Sequence, residues 1–150
     1  MKTRIIRIFW SNPIPIEEAV INAKDEKGLY YITRKCRGKE TSLYIGKSDS
    51  SVKDRISWHD KNWVHRYSRS KIYIRFGTIV EPTRVTYEII DHAEKALIHE
   101  HGQYGTKVLC ENTQYINSYS YSKVYKIINE GNVFELKPIV DMNDHEDYYC

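Results

Sequence analysis

The chain has 150 residues, 41% of them hydrophobic, and a formal net charge of +3. That length suits one domain and that composition one ordinary core, which excludes an intrinsically disordered chain. No stretch reaches the roughly 18–20 apolar residues of a membrane span, and three widely spaced cysteines, Cys36, Cys110 and Cys150, point to a reduced, cytoplasmic setting rather than a disulfide framework.

Residues 3–10, TRIIRIFW, read as a strand. The apolar part of this start is short, broken by charge and lacks a small-residue cleavage site, so it is not read as a signal peptide. Pro13 and Pro15 are breakers, followed by a short helix-like piece ending near Lys24. GLYYITRK (28–35) and SLYIGKSD (42–49) are strand-like around the loop CRGKE. Their spacing predicts a β-hairpin with a loop longer than the two-residue minimum. By alternation Tyr30 and Ile32 share one face, Tyr31 takes the other, and Tyr44 opposes Leu43 and Ile45. After Gly46 the period lengthens. Ser51 with Asp54 resembles a capping box and predicts a helix over about 51–67. KIYIRFGTIV (71–80) alternates as a third strand. RVTYEIIDHAEKALIHEH (84–101) is the clearest helix, stopped by Gly102. Residues 102–117 are irregular, SYSKVYKIINEG is predicted helical with Gly131 as its stop, NVFELKPIV is a last short strand, and an acidic tail follows. The order predicts an α+β domain whose small, mostly antiparallel, three-stranded central sheet is flanked by helices. One domain spans 1–150, with a core of about 28–117, an extension at 1–27, and a C-terminal helix and tail at 118–150.

The charge is unevenly spread. Residues 33–75 hold twelve Lys/Arg against four Asp/Glu, a local excess of +8, while residues 111–150 hold three against seven. Such asymmetry marks either a solvated face or a surface that meets a polyanion. Within the clearest helix, Glu94 has Ile90, Leu97 and Ile98 at helical spacing and Ala93 beside it, which places a carboxylate on or beside the apolar stripe. That position is costly unless the group is paired, hydrogen-bonded or metal-bound; the alternative is a stripe-edge residue reaching water. Glu100 lies elsewhere and is read as surface. Arg55 falls three residues after Val52 and four before His59, on one face. Arg suits phosphate through two parallel hydrogen bonds, and equally suits a structural ion pair. If Tyr30 and Tyr44 converge with these groups, the set suits phosphodiester hydrolysis. Neither HExxH nor paired CxxC is present, which argues against zinc.

Taken in order, these residues resemble the GIY-YIG nuclease superfamily. GLYYI followed by LYIGKS looks like its two-part signature, with Leu29 where Ile or Val is commoner. Arg55 and His59 match the Arg and His of the helix after the second motif, and Glu94-Lys95-Ala96-Leu97-Ile98 matches the ExxLI context of its metal-binding Glu. The resemblance implies that Tyr30 and Tyr44 are the motif tyrosines, one of them handling the attacking water, and that Arg55 binds the scissile phosphate. It implies that His59 assists and that Glu94 holds one divalent ion, Mg²⁺ first and Mn²⁺ second. Gly28 and Gly46 would permit close backbone approach, and Lys47 would line a basic groove. Asn112, with Asn117 as second choice, would be the family Asn, beyond an insertion at 102–111. The implied activity is metal-dependent endonucleolytic cleavage of double-stranded or branched DNA. The alternatives are a non-catalytic nucleic-acid-binding module with the same fold and a plain structural domain.

Overall fold

A computed structural model describes residues 4–22, 27–48, 51–62, 71–101 and 125–141. In chain order these form β1 (Arg4–Trp10), β2 (Ile14–Pro15), α1 (Ile16–Asn22), β3 (Gly28–Cys36), β4 (Lys39–Ser48), α2 (Val52–Asn62), β5 (Ile72–Glu81), α3 (Tyr87–His99), β6 (Tyr125–Gly131) and β7 (Ile139–Val140). The expected three-stranded sheet is not what forms. Among the described residues seven strands make one curled, half-barrel sheet, in the order β4-β3-β5-β1-β6-β7 with β2 paired to β5. Every pairing is antiparallel except that of β1 with β6. The sheet grows because β1 adds to the far side of β5 instead of standing apart, and its other flank takes a further strand.

That further strand is a second correction. Tyr125–Gly131, predicted helical, runs parallel to β1 from Arg4↔Tyr125 to Trp10↔Gly131. Ile127 and Asn129 are buried while Ile128 is less so, a period of two that the short run of Lys and Ile disguises. The Trp10 indole N–H donates to Asn129 Oδ1 at 2.9 Å, a long-range bond that ties β6 to β1. Gly131 ends the strand at φ +82, where a Cβ would lie 2.5 Å from the Trp10 carbonyl oxygen. Of the last predicted strand only Ile139–Val140 is extended, paired with Ile127 and Ile128.

The hairpin forms with a tighter turn than expected. Arg37 and Gly38 have φ of +53 and +77, and Cys36 pairs with Lys39. Two residues in the left-handed region match the twist of the flanking strands, so pairing continues to the turn. The register then shifts: Ile32 faces Tyr44 while Thr33 faces Ser42, leaving Leu43 as the extra residue of a bulge. The bulge puts Leu43 and Tyr44 against the same core, where simple alternation would separate them.

Two cores lie on the two faces of the sheet. On one, Leu29, Tyr31, Ile45, Ile6, Ile8 and Trp10 pack under Ile90, Ala93 and Leu97 of α3. On the other, Tyr30, Ile32, Leu43, Ile72 and Ile74 pack under Ile16 and Ala19 of α1 and Ile56 of α2. Each fully buried Ile or Leu contributes about 1.5–3 kcal/mol, so this burial is the main stabilising term. Three of the four predicted helices form: the short piece before Lys24 as α1, the one over about 51–67 as α2, whose predicted residues 63–67 lie outside the described residues, and the one over 84–101 as α3. Ser51 Oγ accepts the Asp54 N–H at 3.1 Å and caps α2, and Thr86 Oγ1 accepts the Ile89 N–H at 3.3 Å and caps α3. No described helix is long and apolar enough to cross a membrane.

Polar groups in the core are bound to one another. Arg75, only 3% exposed, donates to Glu40 Oε2 at 2.6 Å, to Thr33 Oγ1 at 3.3 Å and to Asn132 Oδ1 at 3.4 Å. Burial pushes the Glu40 carboxyl up, but Arg75 and Thr33 outweigh it and hold it below the usual carboxylate range. The Tyr31 hydroxyl bonds Ser42 Oγ, which donates to Glu135 Oε1 at 2.9 Å. Glu100, read from sequence as surface, is buried and paired with Lys137 at 2.7 Å. A π-type turn at the end of α3 carries it inward.

Candidate functional site

Four of the predicted residues meet where α2 crosses the hairpin. Tyr30 points from β3 to the α2 side of the sheet, fully buried. Across the ladder it faces Gly46. A Cβ at Gly46 would lie 2.5 Å from Cζ and from the hydroxyl oxygen of Tyr30 and 2.7 Å from its Cε2. The glycine therefore makes room for the Tyr30 ring, at a position where any side chain would clash. Tyr44, two residues earlier on β4, stacks on Tyr30 with centroids 6.1 Å apart and planes at 16°. The Leu43 bulge is what brings Tyr44 to this register.

The cap at Ser51 sets the phase of α2. Ile56 packs into the core, Arg55 lies beside it, and His59 follows one turn later at 1% exposure. His59 Nε2 is 2.7 Å from the Tyr30 hydroxyl, and its ring packs on Tyr44 at 4.6 Å between centroids. The Arg55 guanidinium lies close enough to the hydroxyls of Tyr30 and Tyr44 for each to shift the other's titration. A guanidinium has five donors, so two phenols leave some available for an oxyanion.

Burial dominates the protonation states. It pushes the Tyr30 phenol well above the ordinary value, with help from Tyr44 and against the pull of Arg55. The Tyr44 phenol is likewise raised, by burial first and by the charge of Glu94 second. Burial lowers His59 to about 3, and the positive charge of Arg55 adds to that. Arg55 is moved up despite its own desolvation, because Tyr30 and Tyr44 hold its charged form. At neutral pH the cluster is a cation, two protonated phenols and a neutral imidazole. The Tyr30 O–H then donates to His59 Nε2 when the ring proton is on Nδ1.

Glu94 comes from the opposite layer. It lies on α3 at 9% exposure among Ile90, Ala93, Leu97 and Ile98, on the stripe and not at a wetted edge. Both α2 and α3 contact β4, the edge strand, and the charge of Glu94 is felt by both phenols. Among the described residues no group of three or more His, Cys, Asp or Glu is placed to hold a metal ion. A single carboxylate still fits Mg²⁺, which keeps several waters and takes one or two protein carboxylates plus substrate phosphate.

The remaining predicted residues are less central. Lys47 is paired with Asp91 at 3.8 Å, which also holds Lys95 at 2.8 Å, and its ammonium lies 4.7 Å from the centre of the Tyr87 ring. Gly28 opens β3 opposite Ser48. Asn112 and Asn117 lie outside the described residues. Sequence reasoning passed over Trp58, whose ring packs edge-on against His59 at 5.2 Å and under Arg55 at 5.1 Å. An aromatic between two singled-out residues, Arg55 and His59, was the available signal. No family model matches this chain, nor does any curated protein or solved structure.

Proposed function

We propose that this chain is a metal-dependent endonuclease of the GIY-YIG type that hydrolyses DNA phosphodiester bonds. The observation that carries the reading is the convergence of Tyr30, Tyr44, Arg55 and His59 into one contact cluster within electrostatic reach of Glu94. Glu94 would hold one divalent ion, Mg²⁺ or Mn²⁺, which when bound supplies charge stabilisation at the phosphate and the leaving oxygen. Arg55 binds and neutralises the scissile phosphate, its side chain pre-aimed by the two phenols. Of the two tyrosines, Tyr30 is the one we assign to the attacking water, because its hydroxyl lies 2.7 Å from His59 Nε2. A phenol held protonated is a poor base alone. Coupled to His59 it relays: the water proton moves to the Tyr30 oxygen as the Tyr30 proton moves to His59 Nε2. The water oxygen bonds to phosphorus, the P–O bond to the leaving sugar breaks, the leaving alkoxide takes a proton from a solvent water, and His59, whose low value makes it hold a proton only in passing, returns its proton to solvent. Tyr44 positions Arg55 and walls the site.

The test is nicking of plasmid, branched and single-stranded DNA in Mg²⁺ or Mn²⁺ by wild type, Glu94→Ala and Arg55→Ala. Wild type is expected to cut at least one substrate, and each variant to lose roughly 10²-fold or more in rate. Wild type inert on all three substrates, or variants as active as wild type, ends the proposal. Salt-sensitive binding without cleavage would favour the non-catalytic binding module.

A further inference from the structure

We propose that Trp58 and Tyr87 are base-stacking platforms on two sides of the candidate site, so that nucleic acid with unpaired bases is preferred over intact duplex. This rests on the reading of that site as a phosphodiester-cleaving centre. Trp58 is 49% exposed, and the Arg55 guanidinium lies 5.1 Å from its ring centre. Tyr87, in the first turn of α3, is 56% exposed, with the Lys47 ammonium 4.7 Å from its ring. Lys47 directly follows Gly46, against which Tyr30 packs. The helices that carry them, α2 with Trp58 and α3 with Tyr87, cover opposite faces of the sheet and both contact edge strand β4.

Singly exposed aromatics are ordinary on protein surfaces. This pair differs in that each ring is coupled to a cation at the site. A single strand alternates phosphates, which cations attract, with bases, which aromatic rings accept by stacking. In an intact duplex the base faces are already stacked on one another, so neither platform can be used without unpairing.

The test uses the full chain in EDTA, to block cutting, and fluorescence anisotropy with three probes. These are a 12-nucleotide single strand, an abasic strand of equal charge, and a blunt duplex. The single strand is expected to bind roughly ten-fold or more tightly than the abasic strand, since stacking on an aromatic side chain contributes a sizeable factor per base. Trp58→Ala and Tyr87→Ala should each lose much of that ratio, and Trp58→Phe should keep it. Equal affinity for base-bearing and abasic strands, preference for duplex, absence of binding, or an unchanged ratio in both alanine variants overturns the inference. The cleavage assay separates it from the parent reading. Base-dependent binding by a wild type that cuts nothing removes hydrolysis and keeps the platforms, whereas base-blind cutting removes only the platforms.

Discussion

Replacing Gly46 by Ala tests the geometry of the cluster without reference to any substrate. The new methyl would start 2.5 Å from Cζ and Oη of Tyr30. Ordinary contacts need ~3.5–4.0 Å, so the ring or the strand must give way by about 1 Å. The ring has no free direction: it is fully buried, stacked on Tyr44, and bonded to His59 at 2.7 Å. A displacement of that size carries the hydroxyl beyond the ~3.2 Å limit of a good hydrogen bond. Overpacking costs about 1–3 kcal/mol, and the lost bond adds about 1 kcal/mol. Each kcal/mol lowers the melting temperature of a chain this size by about 2–4 °C, so a fall of roughly 5–15 °C is expected. Calorimetry with urea titration measures it. The clash belongs to one pair, so the double variant Gly46→Ala/Tyr30→Leu should be less unstable than the two single losses combined, with coupling of about 1 kcal/mol or more. A Gly46→Ala protein that melts within about 1 °C of wild type, or strict additivity in the double variant, would refute the packing argument.

His59 predicts a pH dependence of stability. Its folded value of about 3, set by burial and then by Arg55, lies below the ordinary His value near 6.5. Between those values the unfolded chain binds a proton that the folded chain does not, so this stability is complete above ~6.5 and lost as pH falls toward the folded value. His101 is lowered too, chiefly by burial, and acts in the same direction. Urea midpoints from pH 7.5 down to 5, above the main carboxylate range, should fall by at most about 1.4 kcal/mol per pH unit per proton, and His59→Gln should flatten that slope. Identical slopes in the two proteins would show that His59 is not the buried neutral base described. Arg75→Met should destabilise by about 3 kcal/mol because it strands Glu40 and Asn132, and pairing it with Glu40→Leu should recover part of the loss. No recovery in the pair would mean that the Arg75–Glu40 bond is not what holds this face together.

The local elements on either side of the candidate site were legible because each rests on short-range physics. The alternation in β3, β4 and β5, the Ser51 cap of α2 and the apolar stripe of α3 are properties of a few neighbouring residues. So is the oddity of Glu94, whose burial follows from the spacing of Ile90, Leu97 and Ile98. Tertiary structure decided the rest. Whether Tyr125–Gly131 coils or extends depends on β1, more than 100 residues away in sequence, which supplies its pairing partner and the Trp10 indole that bonds Asn129. The phase of Tyr44 depends on a bulge at Leu43 that alternation does not encode. Gly46 looked like a motif residue, and only the cross-strand register shows that its missing side chain is the space Tyr30 fills. Covalent neighbours set which residues share a face, while non-local pairing sets which faces meet and therefore which phenol reaches His59.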